Sequence, residues 1–329
     1  MMAGMRAWLC ENPIGVDALR WAELPTPEPA KGQVRVAIRA ASLNFPDILV
    51  VQGKYQFKPT PPFVPGSEYA GTVDAVGEGV TRLTAGDRVV GFGSTGGFGT
   101  HVVAEAGALV PLPPSLPFDE AAAFVLTYGT THHALVDRAT LKPGETLLVL
   151  GAAGGVGTAA IQIGRALGAR VIAATSSAAK NDFCRSLGAD ETIDYKTENV
   201  REALKRLTGG KGPDVVYDPV GGDLAEPVFR SIAWRGRYLV VGFAGGAIPA
   251  LPWNLALLKG ASIVGVFWGD YARREPEAFA ASLAELARWS AEGKVKPAID
   301  RRLPMTELPA AFARMASREV LGKVVLVND

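Results

Sequence analysis

The sequence predicts an α/β protein in which a doubly wound parallel sheet follows a β-rich first third. Three observations predict it. From Glu145 to Phe243, apolar runs of strand length alternate four times with helical stretches, the pattern of βαβ units. The first of those runs ends in a glycine-rich turn, "GAAGGVG", at the start of a helix. Upstream of Phe118 the chain instead shows short β-like runs broken by glycine and proline.

In chain order, "QVRVAIRAAS" carries partial period-two alternation and reads as a strand. "EYAGTVDAVGEGV" and "DRVVGFG" are strands interrupted by glycine, and "TGGFGTHVVAEAGALVPLPPSL" continues them into a proline-rich turn. "DEAAAFVLTYGTTHHALVDRA" is alanine-rich and long enough for helix. The strands "TLLVL", "RVIAA", "DVVYD" and "YLVVGF" then alternate with the helices "VGTAAIQIGRAL", "AKNDFCRSLG", "ENVREALKRL" and "LAEPVFRSI". A helical "EAFAASLAELARWSAEG" precedes the last strand, "GKVVLVN". This places a nucleotide-binding domain at residues 127–263, between a first part (1–126) and a return segment (264–329) of one β-rich domain.

Composition narrows the function classes. The chain has 329 residues, with 34 Lys plus Arg against 33 Asp plus Glu, so a nucleic-acid partner is not expected. Its two cysteines, Cys10 and Cys184, offer no disulfide framework or metal-ligand spacing. No apolar run reaches the length of a membrane span, and the N-terminal stretch is too short for a secretory signal. A soluble cytoplasmic protein is the expectation.

The glycine-rich turn aligns as Ala152, Gly154, Gly157, a G-x-G-x-x-G with alanine in first place. Gly154 would let the backbone approach a pyrophosphate and Gly157 would let helix and strand pack closely. Gly155 and Val156 would offer N–H groups at the positive end of the helix. The second strand ends in Thr175 and Ser176, where NAD-preferring folds place an acid. Ser176 and Lys180 would instead accept a 2′-phosphate, so the expected cofactor is NADPH.

With "ASLNFPDILVVQGKY", "PFVPGSEYAGTVDAVGEGV", "GDRVVGFG", "GAAGGVGTAAIQIGRALGA", "VVGFAGGAIPALPWNLALLKGASIVGVFWG" and "LGKVVLVND" in view, the chain resembles the quinone oxidoreductase, zeta-crystallin-like branch of the zinc-independent medium-chain dehydrogenase/reductase superfamily. The resemblance runs through nearly the whole length. It implies a GroES-like catalytic domain, a Rossmann domain, a homodimer, and NADPH-dependent reduction of a quinone or similar conjugated carbonyl. Zinc-dependent relatives carry a cysteine where this chain has Asn44 and Gly-His-Glu where it has Gly66 to Glu68. No zinc site is expected, because both ligand sets are missing.

The resemblance also implies roles for individual residues. Asn44 becomes the active-site amide, holding a ribose hydroxyl or polarising an acceptor oxygen, and Tyr55 a tyrosine that stacks on or donates to a flat acceptor. Leu49 stands where bacterial relatives often carry a second tyrosine. Thr127, Tyr195, Phe243 and Phe267 become cofactor contacts, with Trp268 beside Phe267. Thr131 reads as a helix hydroxyl bonded to its own backbone, and Asp47 and Glu68 as buried carboxylates that need partners. The proton donor to the reduced acceptor is not legible. Enone, enal or enoyl-thioester reduction, and nonenzymatic NADPH binding, are the alternative functions.

Overall fold

A computed structural model describes residues 4–329. The strands are β1 (Gly4–Cys10), β2 (Leu19–Pro25), β3 (Gln33–Ser42), β4 (Glu68–Val76), β5 (Arg88–Phe92), β6 (His101–Glu105), β7 (Val110–Pro111), β8 (Thr146–Leu150), β9 (Arg170–Thr175), β10 (Glu191–Asp194), β11 (Val215–Asp218), β12 (Arg237–Val240), β13 (Ser262–Gly265), β14 (Ile299–Pro304) and β15 (Lys323–Val327). The helices are α1 (Phe45–Val51), α2 (Phe118–Ala122), α3 (Val125–His132), α4 (Gly155–Ala166), α5 (Ala178–Ser186), α6 (Val200–Leu207), α7 (Ala225–Arg230), α8 (Asn254–Lys259), α9 (Trp268–Arg274), α10 (Pro276–Ala291) and α11 (Leu308–Ala316).

The chain forms two compact units. One runs to Leu126 and resumes at Ile299–Asp329; the other is Thr127–Ala298. The return therefore lies at Ile299, not near residue 264 as the sequence pattern suggested. The physical reason is that α9 and α10 belong to the core of the second unit. Trp268 lies over Gly129, where an added Cβ would sit 2.8 Å from its ring, and the Tyr128 hydroxyl donates to the Lys296 carbonyl at 2.7 Å.

In the second unit six strands pair in the order β10-β9-β8-β11-β12-β13, all parallel. Renumbered within the unit this is 3-2-1-4-5-6, the Rossmann order. Four strands are legible as apolar runs; β10 has one fully buried residue and β13 is exposed along most of its length, so neither stands out. Leu147, Leu148, Val149 and Leu150 of β8 are fully buried, as a central strand covered on both faces must be. The expected single helix from Asp119 breaks after Ala122 and ends in a π-helical stretch, His133–Arg138.

In the first unit a seven-stranded sheet runs β14-β15-β3-β4-β5-β7, with β6 also paired to β3, and β1-β2 forms a separate hairpin. The alternation of β3 has a direct consequence: Val34, Val36 and Ile38 face the core of this unit, with Phe98, Leu109 and Phe312. Adjacent strands β15, β3 and β4 bring Lys323, Ser42 and Glu68 to one end of the sheet. Val325 lies opposite Ser42, and Ala41 opposite Tyr69.

Candidate functional site

Parallel strands put all their carboxyl ends on one edge, and the β8/β11 junction is where the strand order reverses. Ligands of open α/β sheets bind at such a point. After β8 the chain turns at Gly151, whose φ of +58° is a left-handed conformation that glycine adopts without strain. Gly151 thus supplies the turn that the motif's first glycine normally makes, and Ala152 is free to be buried. A Cβ on Gly157 would lie 2.4 Å from the Gly151 carbonyl oxygen, so α4 packs on the turn as only glycine allows. At Gly154, the N-cap of α4, an added Cβ meets only that oxygen, at 3.4 Å. The outer side of the turn is therefore open to a ligand, beside the unsatisfied N–H groups of the first helical turn at Gly155 and Val156. These residues fit a dinucleotide pyrophosphate.

At the end of β9, the Lys180 ammonium donates to Ser176 Oγ at 3.3 Å. Ser177 caps α5, accepting from the Lys180 backbone N–H. No acid occurs from Thr175 to Lys180. Thr175 does not contribute: it is buried and its hydroxyl faces Asn181 Oδ1 at 2.7 Å. Tyr195 follows β10, its backbone N–H donating to the Thr175 carbonyl at 3.1 Å, and its ring is half-buried against the apolar core of this unit. Phe243 follows β12 and lies against Gly221, which follows β11. Thus Gly154, Gly155, Val156, Ser176, Lys180, Tyr195 and Phe243 share the carboxyl edge.

The remaining second-unit expectations divide. Thr127 is buried in α3, and its carbonyl accepts from Thr131 Oγ1 at 2.8 Å, the backbone bond expected of Thr131. Phe267 follows β13 and is 56% exposed, so it is not a core aromatic. Trp268 is a core residue: it is buried, edge-on to Phe279. The adjacent histidines diverge. His132 lies between Ser282 Oγ (2.9 Å) and Glu285 Oε2 (2.8 Å), while His133 stacks on Tyr271 at 3.9 Å. The Ser282–His132–Glu285 row ties α3 to α10; Ser282 and His132 are buried, and Glu285 is partly exposed at its outer end.

The first unit holds a buried polar cluster that the sequence reveals only in part. Asn44, at the N-cap of α1, is 4% exposed. Its Nδ2 has acceptors in Ser42 O (3.4 Å), Ser42 Oγ (3.5 Å), Ser67 Oγ (3.4 Å) and Glu68 Oε2 (3.3 Å). Its Oδ1 accepts from the Lys323 ammonium, which also donates to the Leu43 carbonyl at 2.8 Å. Asp47 accepts from the Asn44 backbone N–H at 2.7 Å and from Ser67. Glu68 accepts from Ser42 Oγ at 2.9 Å and from the Leu126 N–H at 2.8 Å. Burial pushes the Asp47 carboxyl up to about 7 and raises Glu68, although Lys323 opposes both. Burial also lowers the Lys323 ammonium, against the pull of the two carboxylates. Sequence reasoning missed Lys323. Its signal was a lysine opening the apolar run "KVVLV", where a charge needs a buried partner.

Tyr55 is half-buried against the core of this unit. Burial and the Asp47 charge raise its phenol, which keeps it a proton donor in hydrogen bonds at neutral pH. Among the described residues no group of three or more His, Cys, Asp and Glu is placed to hold a metal. The donors at Asn44 and Ser67 are an amide and a hydroxyl, and the cation between the carboxylates is an ammonium, an arrangement unsuited to zinc. Elemental analysis after exhaustive dialysis is expected to find no retained zinc; one zinc per chain would contradict this.

Comparison with known proteins agrees with the geometry. A family profile described as "Alcohol dehydrogenase GroES-like domain" matches residues 30–114, and one described as "Zinc-binding dehydrogenase" matches residues 155–288. The second covers the nucleotide-binding unit from α4 onward and includes neither Asn44 nor Ser67. A Nematostella vectensis "Quinone oxidoreductase-like protein 2 homolog" is 40% identical over 98% of this chain and 88% of its own. A quinone oxidoreductase structure from Pseudomonas syringae aligns with a TM-score of 0.92 at 33% identity, covering 98% of this chain and 100% of that one. A mycobacterial protein solved in complex with NADPH also gives 0.92, at 31% identity over 98% of this chain and 100% of that one. The chain belongs to the zinc-independent medium-chain dehydrogenase/reductase superfamily, in its quinone oxidoreductase, zeta-crystallin-like branch.

Proposed function

We propose that the protein is an NADPH-dependent reductase that adds hydride to a quinone or similar conjugated carbonyl, without zinc. The observation that carries this reading is the corner at the end of β9, where Ser176 and Lys180 are joined at 3.3 Å and the usual ribose-binding acid is missing. A 2′-phosphate finds a cation and a hydroxyl there, whereas a carboxylate would repel it. The NADPH complex of the mycobacterial relative supports the same cofactor.

The nicotinamide, when bound, supplies the hydride. Gly154, Gly155 and Val156 hold the pyrophosphate by backbone N–H groups. Ser176 and Lys180 hold the 2′-phosphate, and Tyr195, Phe243, Phe267 and Thr127 complete the cofactor contacts. Asn44 donates an amide N–H to the acceptor oxygen, where negative charge develops, or to a ribose hydroxyl. Tyr55 offers a flat ring and a protonated phenol to the same acceptor. Solvent delivers the final proton, which requires no dedicated acid.

The test is NADPH and NADH oxidation across benzoquinones, naphthoquinones, enals, enones and enoyl thioesters. Turnover restricted to enoyl thioesters would move the substrate class. NADPH binding without turnover on any acceptor would make this a nonenzymatic binder.

The protein is also proposed to work as a homodimer. β13 is an edge strand, and beside it Trp253 (87%), Leu257 (79%) and Leu258 (68%) are exposed, with Ile263 at 44%. An open edge flanked by apolar side chains suits a second copy across a two-fold axis. Sedimentation is expected to give a dimer at micromolar concentration and a monomer for Leu257→Glu combined with Ile263→Lys. A monomeric wild type would contradict the proposal.

A further inference from the structure

We propose that Lys323 is a positioning residue: its ammonium fixes the Asn44 amide with the NH2 group as the end offered to the acceptor. The inference rests on the reading of Asn44 as that donor. An ammonium has hydrogens to give and no lone pair to receive. The Asn44 atom facing Lys323 Nζ is therefore the oxygen, and the NH2 faces Ser42, Ser67 and Glu68. A flipped amide would set NH2 against the ammonium and carbonyl oxygen against the Glu68 carboxylate, two repulsions in place of two attractions.

The two ends of the amide are held differently. The oxygen is bound tightly by a cation whose second bond, to the Leu43 carbonyl, is 2.8 Å long. The nitrogen has four acceptors, all at 3.3–3.5 Å, beyond the usual 2.9–3.0 Å optimum. An acceptor oxygen competing for this N–H displaces only long bonds. The cation also polarises the amide, strengthening the N–H as a donor when oxyanion charge develops.

The backbone enforces the placement. The Leu43 N–H donates to the Val324 carbonyl at 3.0 Å, and Val325 lies opposite Ser42. The start of β15 is thereby locked beside the end of β3, which fixes the Lys323 backbone next to Asn44, and the bonds to the Leu43 carbonyl and Asn44 Oδ1 hold the ammonium. The groups facing the ammonium are Asp47 from α1 and Glu68 from β4.

Lys323→Met preserves length but leaves Glu68 and Asp47 without their cation, so folding itself is at risk. The decisive comparison is therefore Lys323→Met with Glu68→Gln against Glu68→Gln alone; the pair removes the cation and one of the two carboxylates it faces, and Asp47 keeps its donors, the Asn44 N–H and Ser67. Two readouts are taken on the full-length protein: kcat with 1,4-benzoquinone beside the NADPH dissociation constant, and hydrogen exchange of the Asn44 side-chain NH2 by asparagine-selective nitrogen-15 labelling. The expected result is a folded double variant with, relative to Glu68→Gln alone, kcat down roughly 10-fold or more, unchanged NADPH affinity, and faster exchange of the Asn44 NH2. Lys323→Arg is expected to recover part of both. The same kcat and exchange in the double variant as in Glu68→Gln alone would overturn the proposal, showing that the lysine serves only to neutralise Glu68. If the wild type reduces no acceptor at all, the functional reading fails, and the exchange measurement alone decides whether Lys323 holds the amide.

Discussion

Lys180→Ala is expected to weaken NADPH binding by about 10-fold to 150-fold while leaving NADH binding nearly unchanged. The factor corresponds to a charge-assisted hydrogen bond to phosphate, about 1.5–3 kcal/mol. The lysine lies in the first turn of α5 and already donates to Ser176 Oγ, so its ammonium is held at the corner where the phosphate is proposed to bind. NADH has a hydroxyl at that position and gains little from a point charge. Lys180 is partly exposed, so the preference of the wild type should also shrink as salt rises. Calorimetric titration of both cofactors against both proteins decides the matter. Equal weakening of the two cofactors would mean that Lys180 supports the fold around α5 instead. Tighter binding of NADH by the wild type would mean that Ser176 and Lys180 hold no phosphate.

Asn44→Ala is expected to lower kcat by roughly 100-fold to 1,000-fold, the usual consequence of removing one oxyanion donor. The same change strips Lys323 of one acceptor and leaves the other, the Leu43 carbonyl. Some stability is lost with it, so a second variant is needed. Asn44→Asp keeps an oxygen against the ammonium but removes the NH2. It should be as slow as Asn44→Ala, with no gain in melting temperature, because its second oxygen faces the Glu68 carboxylate in place of the NH2. A fast Asn44→Asp variant would show that the amide N–H has no part in the chemistry and that the residue serves only its buried network.

The extent to which this architecture was legible follows from how each element advertises itself. β8, β9, β11 and β12 are buried on both faces or nearly so, and their apolar runs stand out. β13 carries an exposed outer face, and β10 has one fully buried residue, Ile193. Neither leaves a periodic trace, so the sheet read as four strands. The return to the first unit was misplaced because α9 and α10 look like the start of something new along the chain. Their attachment to the second unit is made by long-range contacts, Trp268 over Gly129 and His132 with Ser282 and Glu285, which no local pattern encodes.

The site was legible where backbone geometry demands particular residues. Gly157 and Ser176 are recognisable because a close helix–strand approach needs glycine and a 2′-phosphate excludes a carboxylate. With alanine at the motif's first place, the turn is made by Gly151, whose left-handed φ glycine adopts freely. Thr175 was read with Ser176, yet strand alternation turns its hydroxyl inward to Asn181. Lys323 was hidden because it lies 279 residues from Asn44. Only the pairing of β15 with β3 brings them together.

The most direct test of the central claim is a stopped-flow measurement of NADPH oxidation with deuterium at C4 of the nicotinamide, using a quinone and an enone as acceptors. The account predicts oxidation that depends on the acceptor, slows on deuteration, and carries deuterium into the β-carbon of the reduced enone. Bound NADPH that is oxidised by neither acceptor, or an enone product with hydrogen only from solvent, would contradict it.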